Sequence, residues 1–158
     1  AASDVYKRQD IFLVGGVISE IGLTRASDAH IKKKNYFVID IDVREFMKKE
    51  GTEIADEDIR DLGRWCAGAL SNHPFLSEWS YIVFSGNGIH TWYIGDVDDI
   101  FAPENWKQGM KFILDQFEKH TKLVPDRSCV NVSKLIRVPG SYNNKHGRHV
   151  KVEILCAQ

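Results

Sequence analysis

The stretch Tyr36-Phe-Val-Ile-Asp-Ile-Asp-Val43 decides how this chain is read. Its β-branched and aromatic residues favour a strand over residues 36–43, and residues two apart on a strand share a face. Asp40 and Asp42 therefore point one way, while Phe37, Ile39, Ile41 and Val43 point the other. Two like charges on one side of an apolar strand repel and resist burial unless a cation lies between them. Carboxylate oxygens at that spacing suit Mg²⁺ or Mn²⁺. Taken alone, the stretch also fits an exposed strand end with two solvated acids.

Outward from that strand the pattern alternates between sheet and helix. Residues 79–85 (WSYIVFS) and 89–94 (IHTWYI) read as two strands joined at Asn87-Gly88. Asn-Gly between strand-like runs predicts an antiparallel hairpin with positive φ at both central residues. Apolar residues at Ile59, Leu62, Trp65, Cys66, Ala69 and Leu70 predict a helix over 56–70, with Asp56, Glu57 and Asp58 in its first turn. Pro103 opens a second helix to about residue 122, with Trp106, Met110, Ile113, Leu114 and Phe117 on one side. A short strand with Gly15 and Gly16 precedes these elements, within 10–18, and a polar segment ending in Lys32-Lys33-Lys34 follows it. Short strands are expected near 129–132 and 135–138, then a polar loop over 139–148 and a last strand over 149–155. The order describes an α+β layer, an antiparallel sheet with helices on one side.

Composition sets the frame for one core. The chain has 158 residues, 43% hydrophobic, which suffices for a single domain. Residues 1–9 (AASDVYKRQ) match nothing that follows and read as a tag or spurious terminal segment. That leaves 10–158 as one domain, on its own or as a fragment of a larger protein. Lysine and arginine total 21 against 22 acids, so bulk charge selects no class of partner. Cys66, Cys129 and Cys156 are scattered, which argues against a zinc site or disulfide frame and for reduced thiols in the cytoplasm. No run approaches the roughly 18 apolar residues that span a bilayer, so no membrane partner is expected.

Three further stretches carry chemistry. Ser85-Gly-Asn-Gly-Ile-His90 places a hydroxyl, free N–H groups and an imidazole at a turn, where Gly86 and Gly88 allow a phosphate close approach. Asp126 is either a third carboxylate for the acidic pair or an ordinary turn residue after Pro125. Lys134 and Arg137 straddle an apolar pair, and Asn143, Asn144, Lys145, His146 and Arg148 form a loop of donors and positive charge. A solvated basic loop is the plain alternative.

In order along the chain, Asp40-Ile-Asp42, Ser85-Gly-Asn-Gly-Ile-His90, Asp126-Arg-Ser-Cys-Val-Asn131 and Lys134-Leu-Ile-Arg137-Val-Pro-Gly140-Ser-Tyr-Asn143-Asn-Lys145 resemble the motifs of the archaeo-eukaryotic primase superfamily. The likeness is nearest to the primase-polymerase domains of phages, plasmids and mobile elements, and runs from about residue 10 to 155. Ser141 stands where threonine is more usual, and Lys134 where arginine is, keeping the charge without the bidentate fork.

The resemblance implies an RRM-like antiparallel sheet with helices on one face and a small N-terminal α/β unit. It implies a DNA primase or primase-polymerase domain, a nucleotidyltransferase working on single-stranded DNA from nucleoside triphosphates. Asp40, Asp42 and Asp126 would hold two Mg²⁺ or Mn²⁺ ions, with His90 beside them. Ser85, Gly86, Gly88 and His90 would hold the triphosphate, with Lys134 and Arg137 as further phosphate contacts. Asn143 and Lys145 would touch nucleotide or template. A helicase domain or subunit is a partner this leaves open, and a bacterial, phage or mobile-element cytoplasm is the expected setting. Two rivals follow from the same residues: a catalytically silent module that binds single-stranded nucleic acid, and another metal-dependent phosphotransferase such as a cyclase or nuclease.

Overall fold

Ten strands and three helices make up the described part of the computed structural model, which covers residues 12–14, 17–18, 28–95 and 103–158. The strands are β1 (Phe12–Val14), β2 (Val17–Ile18), β3 (Ile31–Lys33), β4 (Tyr36–Ile41), β5 (Tyr81–Phe84), β6 (Ile89–Ile94), β7 (Leu135–Arg137), β8 (Tyr142–Asn143), β9 (Val150–Lys151) and β10 (Glu153–Ala157). The helices are α1 (Val43–Lys49), α2 (Asp56–Leu70) and α3 (Pro103–Thr121). A four-stranded antiparallel sheet in the order β10-β5-β6-β4 is the frame, and three two-stranded ladders, β1-β7, β2-β3 and β8-β9, surround it. The α+β class and the antiparallel sheet are those expected from the sequence. The terminal segment 1–9 lies outside the described residues.

Alternation sorts the sheet's side chains into two faces. On one, Ile39, Ile41, Ile82, Phe84, Ile89 and Tyr93 pack with Ile59, Cys66 and Leu70 of α2 and with Trp106, Met110, Leu114 and Phe117 of α3. On the other, Tyr36, Val38, Val83 and Trp92 form a smaller cluster under Ile136 and Val152. Trp92 and Tyr93 therefore divide between the faces: the Tyr93 hydroxyl donates to the Leu76 carbonyl at 3.1 Å on the helix side, and Trp92 stacks on Tyr36 with centroids 5.2 Å apart.

Four local expectations change. Strand β4 stops at Ile41, because the Asp42 side chain accepts the Glu45 N–H at 3.4 Å and caps α1. Trp65, counted in the α2 stripe, is 51% exposed; the buried stripe runs instead through Ile59, Gly63, Cys66, Ala67 and Leu70. Small residues there let the helix lie close on the sheet. Residues 127–130 form a 3₁₀ turn rather than a strand, since Asp126 captures the Ser128 N–H at 2.8 Å. The hairpin exists, but its connection is four residues long, so only Gly86 carries a positive φ, +91°. Ser85 N–H donates to the Gly88 carbonyl at 2.9 Å and Gly88 N–H to Ser85 Oγ at 3.2 Å, closing the loop without an Asn-Gly turn.

Candidate active site

The register between β4 and β6 sets Asp40 opposite His90, and that between β5 and β6 sets Val83 on His90's other flank. Both polar side chains project from the sheet face that α2 and α3 leave uncovered. Beside them opens a cleft of about 120 Å³. Asp40, Asp42, Ser85, Asn87 and His90 line it from the sheet and its turn. Leu135, Arg137, Asn143 and Lys145 line it from the later segment. Residues from four separate stretches of sequence thus share one concavity.

Asp126 joins Asp40 through the backbone: its N–H donates to the Asp40 carbonyl at 2.7 Å. Lys134 then bridges the two side chains, its Nζ donating to Asp40 Oδ2 at 3.0 Å and to Asp126 Oδ2 at 2.6 Å. His90 Nε2 lies 3.4 Å from Asp40 Oδ1, so both oxygens of Asp40 are engaged. Burial pushes the Asp40 carboxyl up, but attraction to His90 and Lys134 overrides it and holds the group well below the usual range. Asp126 is lowered in the same way, burial being outweighed by hydrogen bonds from Lys134 and Ser128. Burial lowers Lys134, yet the two carboxylates raise it overall, so the ammonium is strongly held.

Asp42 behaves differently. Burial raises its carboxyl and the Asp40 charge adds to that rise, while the Glu45 N–H and the Lys145 charge oppose it only in part. Among the described residues no cationic side chain lies within ion-pair distance of Asp42. The carboxylate that faces the cleft with least compensation is therefore Asp42. His90 Nδ1 is a second uncompensated group, buried and without a hydrogen-bond partner among the described residues.

The turn over 85–88 is held from three sides. Gly88 has no alternative, because a Cβ there would lie 1.8 Å from the Ile41 carbonyl oxygen. Asn143, itself buried, donates through Nδ2 to the Ser85 carbonyl at 2.7 Å and accepts the Lys145 N–H at 3.0 Å. Behind the turn, Arg44 N–H donates to the Asn87 carbonyl at 2.8 Å, and the Arg44 and Arg148 guanidiniums both reach Asp56 Oδ1. Arg137 donates to the Tyr142 carbonyl at 3.2 Å, and burial lowers its pKa.

Of the residues singled out from sequence, Asp40, Asp42, Ser85, His90, Arg137, Asn143 and Lys145 line the cleft. Gly86 and Gly88 shape its turn. Asp126 and Lys134 stand beneath it, against Asp40. The sequence reading missed Asn87 and Leu135 as lining residues, and the support supplied by Arg44 and Asp56. Arg44, two positions past the acidic pair, is the available signal; Asp56 reads in sequence only as a first-turn helix acid.

The resemblance assigns a pair of divalent cations to Asp40, Asp42 and Asp126, and the donor set tests that. Among the described residues no group of three or more His, Cys, Asp or Glu side chains is disposed to hold a metal ion. An ammonium already fills the space between Asp40 and Asp126. In this arrangement the three acids do not fit a two-cation cage. Among the described residues no helix is long and apolar enough to cross a membrane.

No family model matches the chain, and no curated protein matches it in sequence. Among solved structures it is similar to the AEP domain of the primase-polymerase of cyanophage S-2L, with a TM-score of 0.55 and 14% identity. The alignment covers 99% of this chain and 67% of that one. Likeness at that identity establishes the fold: an α+β domain built like the primase-polymerase domain of a phage.

Proposed function

We propose that this chain is a nucleotidyltransferase of the primase-polymerase kind, joining nucleotides from nucleoside triphosphates on a single-stranded DNA template. The observation that carries the reading is the single cleft in which Asp40, Asp42, Ser85, His90, Arg137, Asn143 and Lys145 meet. Carboxylates on one wall and donors on the other suit a reaction that brings an attacking hydroxyl to a phosphoryl group. Ser85 and the 85–88 turn receive phosphate oxygens, while Arg137 and Lys145 offset their negative charge. His90, fixed by Asp40, presents its imidazole to the same anion. Asp42, with its raised pKa and little compensation, accepts a hydrogen bond from the attacking hydroxyl and orients it. Positioning and electrostatics supply most of the rate in such transfers.

The rival reading, a silent binding sheet, is less favoured by the packing. Modules that bind single strands on an RRM-like sheet stack bases on exposed aromatics. Here Tyr36 and Trp92 are buried in the cluster on the cleft side of the sheet, and Tyr81, packed against it, is partly buried.

Primer synthesis and primer extension on single-stranded DNA, with Mg²⁺ or Mn²⁺ supplied, test the proposal. Wild type is expected to add nucleotides, and Asp42→Asn, which keeps the helix cap, to lose at least about a hundredfold in rate. A folded wild type that binds no triphosphate and extends no primer, or an Asp42→Asn chain as active as wild type, would sink the reading.

A further inference from the structure

At the far end of β4 from the acidic cleft lies a pocket that nucleotidyl transfer does not use. It measures about 210 Å³, and Tyr36 in its lining stands about 13 Å along the strand from Asp40. Phe75, Ile94 and Trp106 give it an apolar wall, next to the parallel stack of Phe37 on Tyr93, whose centroids are 4.4 Å apart.

Lys34, last of the Lys32-Lys33-Lys34 run, is the one cation in this lining, and it is only 6% exposed. Its ammonium donates to the Val132 carbonyl at 2.9 Å and lies over the rings of Trp106 and Tyr36, 4.8 and 5.2 Å from their centroids. Among the described residues no carboxylate stands within ion-pair distance of it. A lysine this deeply buried is normally paired, because a charge withdrawn from water needs an opposite charge. An ammonium carries three hydrogens, and the carbonyl takes one of them. Tyr36, beneath the same ammonium, leaves a second group unspent: its hydroxyl is buried with no hydrogen-bond partner among the described residues. Burial holds that phenol above its usual range, so it stays protonated and can donate.

These groups define the occupant. Apolar and aromatic walls suit a flat aromatic body, and the two donors suit an anion at one end of it. With a single cation in the lining, and Glu78 also bordering the pocket, a dianionic phosphate would be left partly unneutralised. A carboxylate carries one charge and matches one ammonium and one hydroxyl. We infer that this pocket binds a small planar aromatic carboxylate, its ring among Phe75, Ile94 and Trp106 and its carboxylate on the Lys34 ammonium. The inference is independent of how the acidic cleft is read.

Calorimetric titration with cinnamate, and with cinnamyl alcohol as its neutral counterpart, tests this without nucleotide, metal or DNA. Wild type at pH 7 is expected to bind cinnamate with a Kd below about 1 mM, and at least about tenfold tighter than the alcohol. Lys34→Met keeps an unbranched apolar stem and is expected to abolish that preference. Phe75 is 63% exposed, so Phe75→Ala spares the core; it should weaken both ligands about threefold or more. Burial pushes the Lys34 amine down to about 8, with Cys129 and Asp28 favouring its charge and Lys134 opposing it. Tyr36, Tyr93 and Glu78 are the other titratable groups in the lining. Affinity for the anion is therefore full below that value and is lost as the amine deprotonates above it. At about pH 9.5 cinnamate should bind about tenfold or more weaker than at pH 7, while the alcohol holds steady. Where Lys34→Met fails to fold, the two ligands and the two pH values on wild type decide. Wild type that binds no cinnamate, or binds acid and alcohol alike, overturns the inference. So does a preference for cinnamate that survives in folded Lys34→Met or at about pH 9.5, or a Phe75→Ala chain that binds as wild type does.

Discussion

Asp40 and Asp42 stand two residues apart and are pushed in opposite directions. The Asp40 carboxyl, with His90 and Lys134 against it, is lowered; the Asp42 carboxyl, half-buried with little compensation, is raised. A lowered carboxyl stabilises the fold above its unfolded value, near pH 4, and that contribution is lost as pH falls through the folded value. A raised one does the reverse, since its charge costs stability once it ionises. Neutralising the two should therefore act with opposite signs. Asp40→Asn is expected to cost about 3 kcal/mol at pH 7, because it removes the buried carboxylate that faces both Lys134 and His90. Asp42→Asn should leave the melting temperature unchanged or raise it, since asparagine caps a helix as well as aspartate. Thermal denaturation at pH 7, pH 4 and pH 2.5 checks this: the Asp40→Asn deficit should be nearly intact at pH 4 and shrink progressively below it. A destabilised Asp42→Asn chain would contradict the account. At this scale the sequence was legible through alternation, which put both acids on one side. It did not reveal that Asp42 leaves the strand to cap a helix, since that choice depends on one hydrogen bond to Glu45. Nor did it reveal the Lys134 bridge, made across 94 positions of chain.

Among elements, the 85–88 turn is the one whose shape the cleft depends on, and its support comes mainly from behind. Asp56, first residue of α2, draws Arg44 and Arg148 onto one oxygen, and those arginines in turn touch Ile54, Asn87 and Gly86 through backbone groups. One acid thereby links α1, α2, the hairpin turn and the segment before β9. Removing it leaves two guanidiniums repelling each other beside the turn. Asp56→Ala is expected to cost about 1–2 kcal/mol in chemical denaturation, the scale of a half-buried charged network rather than an exposed pair. It should also weaken triphosphate binding more than that loss of stability explains, because the turn loses its brace. Unaltered binding in a folded Asp56→Ala chain would show that the turn holds itself. Helices α2 and α3 and the hairpin were legible as elements because their periods, 3.6 and 2, are properties of local sequence, whereas the short α1 was not. The Asn87-Gly88 dipeptide marked the place of the turn but not its form. What set the form was Ile41, whose carbonyl forbids any side chain at position 88. That contact lies outside any local window.

For the whole molecule, the division of labour runs across the sheet. The helix-covered face carries the larger core; the opposite face carries the cleft, and its far wall comes from the later third of the chain. That wall is set by a pairing between the two ends: β1 runs antiparallel to β7, matching Phe12 with Arg137, Leu13 with Ile136 and Val14 with Leu135. Ordered motifs revealed which residues belong together, since the acidic pair, the serine-histidine turn and the basic loop recur in that order in the primase-polymerases they resemble. They carried no information about β1, whose short apolar run reads as any buried strand would. Yet Arg137 and Leu135, both on β7, line the cleft. Strand β7 is three residues long and lies outside the four-stranded sheet, so its partner strand is the main source of its regularity. Deleting residues 1–14 removes that partner while leaving β4, β5, β6, β10 and all three helices intact. The shortened chain is expected to keep a cooperative unfolding transition and its helical circular dichroism. Its affinity for a nucleoside triphosphate should fall about tenfold, as Arg137 loses a fixed position. Full affinity after the deletion would mean that the packing of Ile136 in the small core, and not the ladder to β1, holds this wall of the cleft.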